Sequence, residues 1–556
     1  MTKWVRWVRL VSLFVMAAIA FGAVALPSAQ TATGDAKTFM VVFKDDAAVS
    51  GLVAGQGAYS VADQHAISLV QQAGGTVTGD FVSEIGVVVV SSPNALFDQV
   101  MRTNSLVQEA GEDFSWKGIA SPADLVADDP GCPVPPPEPG DPDAILCAIS
   151  EVPEEELGEH LQWDMQQICA IESTDPRWAT LCDEGAHAHQ KGNAAVDVGI
   201  LDSGIDGRHV DLMANVRCER GRDSVFEQKG LLFPDDLRIT NGGLGLPDPC
   251  VDNQFHGTHV AGTVAADDNT VGIVGVAPDV SLIPVKVCDT AGYCYASAVV
   301  DGILYAGHQK FDVINMSFFV DDEELTASTM YKCSSDPVQR AFRHAVERAI
   351  QFARNQGVTP VAALGNSDQD LAHPPEPYEN ECDVVPAETQ GVIGTMALGR
   401  DSQKASYSNY GSGMTDVAAP GGSGTTGDCR RTILSTVPGN LYLCIQGTSM
   451  ASPHSAGVAA LIVSEYGTLV ADKDDPNTDM DDTAPATDVS IPPQKVENYL
   501  QSTTIDLINS LDFGAVKTLT GFDECFGHGR IDARRAVLHE TASVREVVPV
   551  CAEGQD

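Results

Sequence analysis

Gly447-Thr448-Ser449-Met450-Ala451-Ser452-Pro453 places a hydroxyl among small residues, directly before an apolar helical run. Because a serine hydroxyl is a weak nucleophile at neutral pH, it needs a neighbouring base and a third group that orients this base. Two upstream segments offer these groups. Residues 196–204 read as an apolar strand that ends in Asp202 and a glycine turn, and residues 256–262 begin a helix of small residues with His256. The chain therefore carries a carboxylate, an imidazole and a hydroxyl in the order Asp, His, Ser.

This order is one of three by which unrelated proteins build the same catalytic triad. Together with the sequences around the three residues, it resembles the subtilisin-like serine peptidases, the subtilase family, over about residues 158–540. The resemblance implies that Ser449 is the nucleophile and that His256, rather than His259, is the general acid and base. Asp202 would be the buried carboxylate that fixes the imidazole tautomer.

An oxyanion stabiliser is the fourth part of such a site, because the tetrahedral intermediate places negative charge on the former carbonyl oxygen. Residues 361–366 read as a buried strand that runs into Gly365 and Asn366. This turn would deliver the Asn366 amide to the carboxyl edge of the sheet. The resemblance implies that the Ser449 backbone N–H is the second donor.

The expected substrate cleft departs from the family pattern. The strand at residues 313–317 fits the family segment that pairs with an extended peptide, but bulky residues follow it where small, glycine-rich ones are usual. We therefore expect a narrowed or redirected primary pocket, and the residue preferred before the cut stays open. The residues expected to bind substrate are Ser317, Phe318, Phe319, Leu364 and Gly365.

Short β-rich runs occur at residues 196–201, 280–287, 313–316 and 359–363, with helical or glycine-rich stretches between them. This alternation predicts an α/β fold in which a parallel sheet has helices on both faces. Such sheets carry their sites at the carboxyl ends of the strands, where Asp202 is expected. The predicted fold class is a subtilisin-like α/β sheet, preceded by a small α+β unit.

Residues 1–25 have the features of a secretory signal peptide. Lys3, Arg6 and Arg9 precede an apolar run at residues 10–25, which ends in the small-x-small sequence Ala-Val-Ala. A transmembrane anchor is the alternative, although the run is short for a full span. We expect cleavage after residue 25, a secreted, extracellular protein and no stable membrane anchor.

Residues 37–116 read as the small α+β unit, with strands at 38–43 and 86–90 and helices at 61–73 and 93–102. A unit of this kind between an export signal and the catalytic segment resembles the inhibitory pro-domain of the family. The resemblance implies an inhibitor and folding chaperone whose last strand lies in the cleft until it is cut. An unrelated small binding domain is the alternative.

Residues 117–157 are rich in Pro, Asp and Glu and bury too little apolar surface to fold alone, so we expect a linker that includes the maturation region. The catalytic domain is expected at residues 158–540, followed by a C-terminal tail at 541–556. Two stretches, residues 218–250 and 472–488, read as surface insertions. The first either tunes substrate access or is a tolerated loop.

Fourteen cysteines in a chain with an export signal predict seven disulfides formed in an oxidising compartment. The five residues between Cys288 and Cys294, with no nearby histidine partners, argue against a zinc site there. Spacing favours local bridges, although sequence alone leaves the connectivity open. The expected pairs are Cys132 with Cys147, Cys169 with Cys182, Cys218 with Cys250, Cys288 with Cys294, Cys333 with Cys382, Cys429 with Cys444, and Cys525 with Cys551.

The chain has 33 basic and 77 acidic residues, a formal net charge of −44. Nucleic acid is therefore excluded as a partner, because its phosphates would be repelled. The acidity reads either as adaptation to saline surroundings or cation binding, or simply as a solvated acidic surface.

Structural calcium is expected from the resemblance, because calcium takes carboxylate, amide and carbonyl oxygens from more than one segment. The implied ligands follow Asp202 and the His256 helix, where the family carries its calcium loop, and the alternative is an acidic turn without metal. They are the side chains of Asp211 and Asn269, the carbonyls of Asp267, Val271 and Ile273, and the side chain of Glu159.

The sequence thus predicts a secreted serine endopeptidase that acts on protein or peptide substrates through an acyl-enzyme and is made as an autoprocessed precursor. Two rival functions stay open. One is a selective processing peptidase with a single native target. The other is a non-catalytic, calcium-stabilised surface protein on the same scaffold, against which the complete triad argues.

Overall fold

The computed structural model describes residues 36–44, 61–119, 161–230, 237–240, 243–320, 336–372, 384–411, 413–470, 488–509 and 525–548. The expected signal peptide, most of the expected linker and Glu159 lie outside these residues. Among the described helices, none has the length and the apolar character that crossing a membrane requires.

The N-terminal unit, residues 36–119 as far as described, is a small α+β structure. Its elements are β1 (Lys37–Phe43), α1 (Val61–Gln72), β2 (Thr76–Phe81), α2 (Val82–Ile85), β3 (Val87–Ser92), α3 (Phe97–Arg102), β4 (Val107–Glu112) and β5 (Ser115–Lys117). The first four strands form an antiparallel sheet in the order β2-β3-β1-β4. The sequence predicted β1, α1 and β3 closely. The second predicted helix, at residues 93–102, corresponds to α3 but starts four residues too early.

Both faces of the two central strands, β1 and β3, are buried, which explains their nearly continuous apolar sequences. Phe39 and Val41 of β1 pack with α1 and α3 in a core of the unit itself. Met40 and Val42 point to the other face and pack into a larger core that includes helices beyond residue 295. The N-terminal unit is therefore joined to the rest of the protein by apolar contact across a whole sheet face.

The remaining elements follow a mostly alternating order. Up to residue 316 they are α4 (Trp163–Gln167), β6 (Asp197–Asp202), β7 (Arg222–Asp223), α5 (Ser224–Lys229), β8 (Leu237–Thr240), β9 (Gly243–Pro247), α6 (His256–Ala265), β10 (Ser281–Lys286), β11 (Tyr293–Tyr295), α7 (Ala296–His308) and β12 (Val313–Met316). After it come α8 (Pro337–Asn355), β13 (Thr359–Ala363), β14 (Ile393–Leu398), β15 (Val417–Pro420), β16 (Ile433–Val437), β17 (Leu441–Ile445), α9 (Thr448–Tyr466), β18 (Thr468–Val470), β19 (Asp488–Ser490), α10 (Pro493–Ser502), β20 (Asp506–Asn509), α11 (Ala533–Leu538) and β21 (Arg545–Val548).

A seven-stranded parallel sheet forms the centre, in the order β15-β14-β13-β12-β6-β10-β7. Side chains that alternate along β6 divide between two cores. Val198 and Ile200 pack with α6 and α9, whereas Leu201 packs with α7 and α8 on the opposite face. The predicted α/β class, with a parallel sheet between helices and a small α+β unit before it, is confirmed.

Two arginines of α8 reinforce its junction with the N-terminal unit. Arg340 Nε lies 2.9 Å from Glu109 Oε1. Arg348 donates to the carbonyls of Phe43 and Ile85 at 2.8 and 2.9 Å. Beyond this junction, β5 pairs antiparallel with β11, so the last described part of the unit runs along an edge of the main domain.

Four expected disulfides are confirmed among the described residues. They join Cys169 to Cys182, Cys218 to Cys250, Cys288 to Cys294, and Cys429 to Cys444. Cys525 is also disulfide-bonded. Its expected partner, and both members of the two other expected pairs, lie outside the described residues.

Ile200 tests the contribution of the central strand, because its side chain is fully buried between the sheet and α6. Ile200→Ala should lower the free energy of unfolding by about 2–5 kcal/mol through lost burial and the cavity left behind. Urea unfolding followed by circular dichroism measures the change. Leu469→Ala, at a side chain that is 68% exposed, should change it by less than about 0.5 kcal/mol, and equal effects of the two substitutions would contradict the assigned core.

Candidate active site

Three neighbouring strands end at the same edge of the sheet. Leu201 of β6 lies opposite Met316 of β12, and Met316 lies opposite Ala362 of β13. The residues that follow these positions include Asp202, Ser317 and Asn366. Because parallel strands in register end together, one edge collects side chains from three separate parts of the chain.

Asp202 and His256 are joined by a buried contact. His256 Nδ1 lies 2.9 Å from Asp202 Oδ1 and 3.0 Å from Oδ2, and both side chains are almost fully buried. The Ser203 backbone N–H also donates to Asp202 Oδ1, at 2.8 Å. This arrangement holds the proton on Nδ1 and leaves Nε2 as the nitrogen that can accept one.

Asp252 is a positioning residue that the sequence reasoning missed. Its buried carboxylate accepts hydrogen bonds from the backbone N–H groups of Gln254, Phe255 and Thr258, at 2.9–3.0 Å. It also accepts from the Ser203 hydroxyl at 3.0 Å. One carboxylate thus ties the start of α6, where His256 lies, to the turn after Asp202.

Ser449 is the second residue of α9 and is 6% exposed. Its Oγ donates to the Ser317 carbonyl at 2.9 Å, and Ser317 Oγ donates back to the Ser449 carbonyl at 2.8 Å. Among the described residues, no hydrogen bond joins Ser449 Oγ to His256. Ser449 Oγ must leave the Ser317 carbonyl before it can bond to His256, and loose geometry of this kind is common in sites without substrate.

A short chain of buried hydrogen bonds holds α9 against β12. Ser452 Oγ donates to Asn315 Oδ1 at 2.7 Å, and Asn315 Nδ2 donates to Ser317 Oγ at 2.8 Å. Ser317 then donates to the Ser449 carbonyl. Because every member is buried and paired, this chain fixes the helix start relative to the strand end.

The Asn366 amide has a defined orientation. Its Oδ1 accepts from the Thr448 backbone N–H at 2.9 Å and from Thr448 Oγ1 at 2.8 Å. Thr448 Oγ1 in turn accepts from the Gly365 N–H at 3.1 Å. Because a backbone N–H can only donate, the atom of Asn366 that faces the Thr448 N–H must be the amide oxygen. Asn366 Nδ2 is therefore left to donate into the exposed space beside Ser449.

Two other histidines near this edge are held elsewhere. His259 Nε2 lies 3.2 and 3.1 Å from the carbonyls of Ile433 and Leu443, and burial lowers the pKa of His259 to about 3, so this ring stays neutral. His454 Nε2 lies 3.0 Å from Asp164 Oδ2 in a fully buried pair. Neither ring contacts Asp202.

The residues expected to bind substrate differ in exposure. Ser317, Phe318 and Leu364 are buried, and the last two belong to a hydrophobic core, so their side chains are covered by the protein itself. Phe319 is half-buried, and its ring lies 3.6 Å from the position that a Cβ on Gly365 would take. Phe319 therefore packs beside Gly365, the residue before Asn366.

Trp116 of the N-terminal unit reaches this cleft. Its indole Nε1 donates to the Phe319 carbonyl at 3.0 Å, and its ring packs against Phe318 and Phe342. The backbone on either side pairs with β11. The segment around Trp116 thus forms a two-stranded sheet with β11 and lies beside Phe318 and Phe319.

The expected calcium loop wraps around a buried carboxylate. Asp211 Oδ2 accepts from the Ile273 N–H and the Tyr442 hydroxyl at 3.0 and 2.9 Å, whereas Asp211 Oδ1 is buried without a hydrogen-bond partner. Burial also raises the pKa of Asp211. Asn269 lies in the same loop, with its Nδ2 3.4 Å from the Val210 carbonyl.

The observation in favour of a cation is the buried Asp211 Oδ1, because a carboxylate oxygen without a hydrogen-bond donor is a ligand that a hard cation prefers. Among the described residues, no group of three His, Cys, Asp or Glu side chains could hold a metal ion. A cation here would therefore depend on the amide of Asn269 and on the carbonyls of Asp267, Val271 and Ile273. The expected contribution of Glu159 lies outside the described residues.

Comparison with known proteins concerns the family of the chain. A family model described as the subtilase family matches residues 193–529, more than half of the chain. Subtilisin DY of Bacillus licheniformis is 37% identical over 278 residues, which are 50% of this chain and 80% of that protein. Subtilisin NAT of Bacillus subtilis subsp. natto is 36% identical over 282 residues, which are 51% of this chain and 59% of that protein.

A solved structure shares the fold at lower sequence identity. The epidermin leader peptide processing serine protease EpiP from Staphylococcus aureus matches with a TM-score of 0.57 and 18% identity. The match covers 92% of this chain and 100% of that one. At this identity the likeness concerns the fold alone.

Thr448 offers a test of the amide orientation. Thr448→Val keeps the shape and the backbone N–H that donates to Asn366 Oδ1, but it removes the hydroxyl that bridges Gly365 N–H and Asn366 Oδ1, so the amide should be held less firmly. We expect kcat for peptide hydrolysis to fall about tenfold while KM changes little, because one hydrogen bond is lost mainly in the transition state. Thr468→Val, a surface change, should leave both constants unaltered, and a change confined to KM in Thr448→Val would contradict the assignment.

Proposed function

The chain belongs to the subtilase family of serine endopeptidases, and we propose that its peptidase activity uses Ser449 as nucleophile, His256 as general acid and base, and Asp202 as the orienting carboxylate. Asn366 Nδ2 and the Ser449 N–H would hold the oxyanion. The observation that carries this proposal is the buried contact of His256 Nδ1 with Asp202, at the sheet edge that also bears Ser449.

The proposed reaction begins when Ser449 Oγ turns from the Ser317 carbonyl to His256 Nε2 and attacks the scissile carbonyl as its proton moves to the ring. The oxyanion that forms accepts hydrogen bonds from Asn366 Nδ2 and the Ser449 N–H. His256 then gives the proton to the leaving amine. Water repeats the sequence on the acyl-enzyme, with His256 again as base, and Ser449 is restored.

The N-terminal unit is proposed to be an inhibitory pro-domain that the protein removes by its own activity. Its β5 pairs with β11, and Trp116 donates to the carbonyl of Phe319, two residues after the carbonyl that Ser449 contacts. A strand in that place would exclude an extended substrate. The shared apolar core between the unit and α8 supports an additional role as folding template.

Export to an oxidising compartment is part of the proposal. The four described disulfides support it, because bridges of this kind persist outside the reducing cytosol. The sequence features of residues 1–25 support a cleaved signal. We therefore propose that the protein is secreted and extracellular and that its substrates are proteins or peptides.

Calcium is proposed as a structural ion. Asp211, Asn269 and the carbonyls of Asp267, Val271 and Ile273 would hold it, and Glu159 completes the set expected from the sequence. Bound there, calcium would place a positive charge next to the buried Asp211 Oδ1, which has no hydrogen-bond donor. The ion would stabilise the loop between α6 and β10 and take no part in the chemistry.

Labelling by a serine-directed fluorophosphonate tests the proposed nucleophile. The secreted protein should be labelled at Ser449, because a hydroxyl next to a general base reacts with such probes. Ser449→Ala should abolish labelling and lower kcat by roughly 10⁶-fold, the size measured for subtilisin, and should leave the precursor uncut. Ser464→Ala, on the same helix, should retain labelling.

Different results would favour the rival functions. Labelling that survives Ser449→Ala would overturn the assigned nucleophile, and absence of labelling in the wild type would favour a non-catalytic protein. Broad hydrolysis of casein would exclude a selective processing peptidase, whereas activity confined to one target would support it.

Calcium removal tests the proposed ion site. A chelator should lower the melting temperature by roughly 3 °C if the ion is present at about 100 times its Kd, because binding to the folded state alone stabilises it. Scanning calorimetry with and without the chelator measures the shift. Asp211→Asn should remove most of it, and an unchanged melting temperature in the wild type would contradict the site.

A further inference from the structure

Residues 113–119 connect the N-terminal unit to the active-site edge. Phe114 O accepts from the Ala296 N–H at 3.0 Å, β5 pairs with β11, and the Ile119 N–H donates to Gly292 O at 3.3 Å. This segment is thus held over its whole length by the main domain. Asp113 begins it, and its side chain is fully buried.

The Asp113 carboxylate occupies a pocket built by two elements of the main domain. Its Oδ1 accepts from the Ser297 backbone N–H at 3.1 Å, in the first turn of α7. Its Oδ2 pairs with Lys229 Nζ, at the end of α5. The pocket therefore combines a helix N-terminus with a lysine, which are two groups that favour an anion.

Helix α7 has no cap of its own. The residue at its N-cap is Tyr295, which makes no side-chain capping hydrogen bond, and the buried hydroxyl of Ser297 has no partner. The backbone donors at the helix start are satisfied by Asp113 and Phe114 of the N-terminal unit instead. When that unit leaves, these donors need another acceptor, because helix starts with unpaired N–H groups are costly unless water or a ligand pairs them.

Lys229 would likewise lose its carboxylate partner when the N-terminal unit leaves. Among the residues that the structure describes, Asp113 is the only carboxylate paired with it, and its other contact is with the Tyr295 ring, 5.5 Å from the centroid. Lys229 lies between Cys218 and Cys250, in the stretch that the sequence singled out as an insertion between Asp202 and His256. The insertion thus brings a cation to the segment that carries Asp113 and Trp116.

We propose that, in the mature enzyme, this pocket binds an Asp or Glu side chain of the substrate, three residues before an aromatic side chain that takes the place of Trp116. The inference rests on the proposed function. It adds that the enzyme selects substrates with an acidic residue three positions before an aromatic one. Both residues lie on the amino side of the cleaved bond. The spacing is that of Asp113 and Trp116, which bind the two pockets in one extended segment.

A competition experiment tests this inference. Enzyme recovered from the full-length precursor is assayed on a short chromogenic peptide, in the presence of a competitor that copies residues 111–119 or of the same peptide with Asn in place of Asp113. The Asp peptide should have a Ki about tenfold lower, because a charge-assisted hydrogen bond is lost in the Asn form. The ratio should fall as salt is raised, since part of the pairing is screened.

Variants of the pocket locate the effect. In Lys229→Gln the two peptides should inhibit equally within about twofold, while Lys229→Arg, which keeps the charge, should retain most of the preference. Lys495→Gln, a lysine of α10 that lies over Tyr499, is the matched control and should preserve the tenfold ratio.

Three results would overturn the inference. Equal Ki values in the wild type would mean that the pocket serves only the N-terminal unit. A preference that survives Lys229→Gln would place it elsewhere. Protein that neither reacts with the fluorophosphonate nor cuts any peptide would refute the proposed function itself. This failure would be visible before any Ki is measured. The inference would then be refuted as well, because it rests on that function.

Discussion

The register between parallel strands is the constraint on which the site depends. With Leu201, Met316 and Ala362 side by side, the chain leaves β6, β12 and β13 at one edge, and a slip by one residue would send the following side chains to the opposite face. The reciprocal hydrogen bonds of Ser317 and Ser449 then fasten helix α9 to this edge. Sheet pairing and one pair of side chains thus define where Ser449 lies.

Close packing explains why the motifs around the reactive residues are rich in small side chains. A Cβ on Gly257 would lie 2.1 Å from the Gly204 carbonyl, and one on Gly262 would lie 2.2 Å from Thr436 Oγ1. Helix α9 is likewise buried from Thr448 to Val463. The small residues therefore let two helices approach the strands closely enough for their first residues to reach the edge, so packing rather than reactivity accounts for most of these motifs.

Local patterns were sufficient to predict strands such as β12 and β13, because a buried parallel strand is a continuous apolar run, and short spacing was sufficient for four disulfides. Asp252 escaped notice because a carboxylate shortly before a helix reads like an ordinary turn residue, and only the fold brings Ser203 to it. Trp116 and Phe319 are 203 residues apart. No periodicity connects them, so a contact that shapes the cleft is invisible until both units are folded together.

Charge gives the two units an asymmetry that apolar contact alone would not. The chain has 77 acidic against 33 basic residues, yet Arg340 and Lys229 of the main domain both pair with carboxylates of the N-terminal unit. In the proposed maturation those carboxylates depart and the cations stay, on the side where β11 accepts a strand. Because exposed like charges repel over about a Debye length, roughly 8 Å in physiological salt, distant acidic surface is screened while nearby cations act directly. Removal of the N-terminal unit would therefore take two neutralising carboxylates away from these cations.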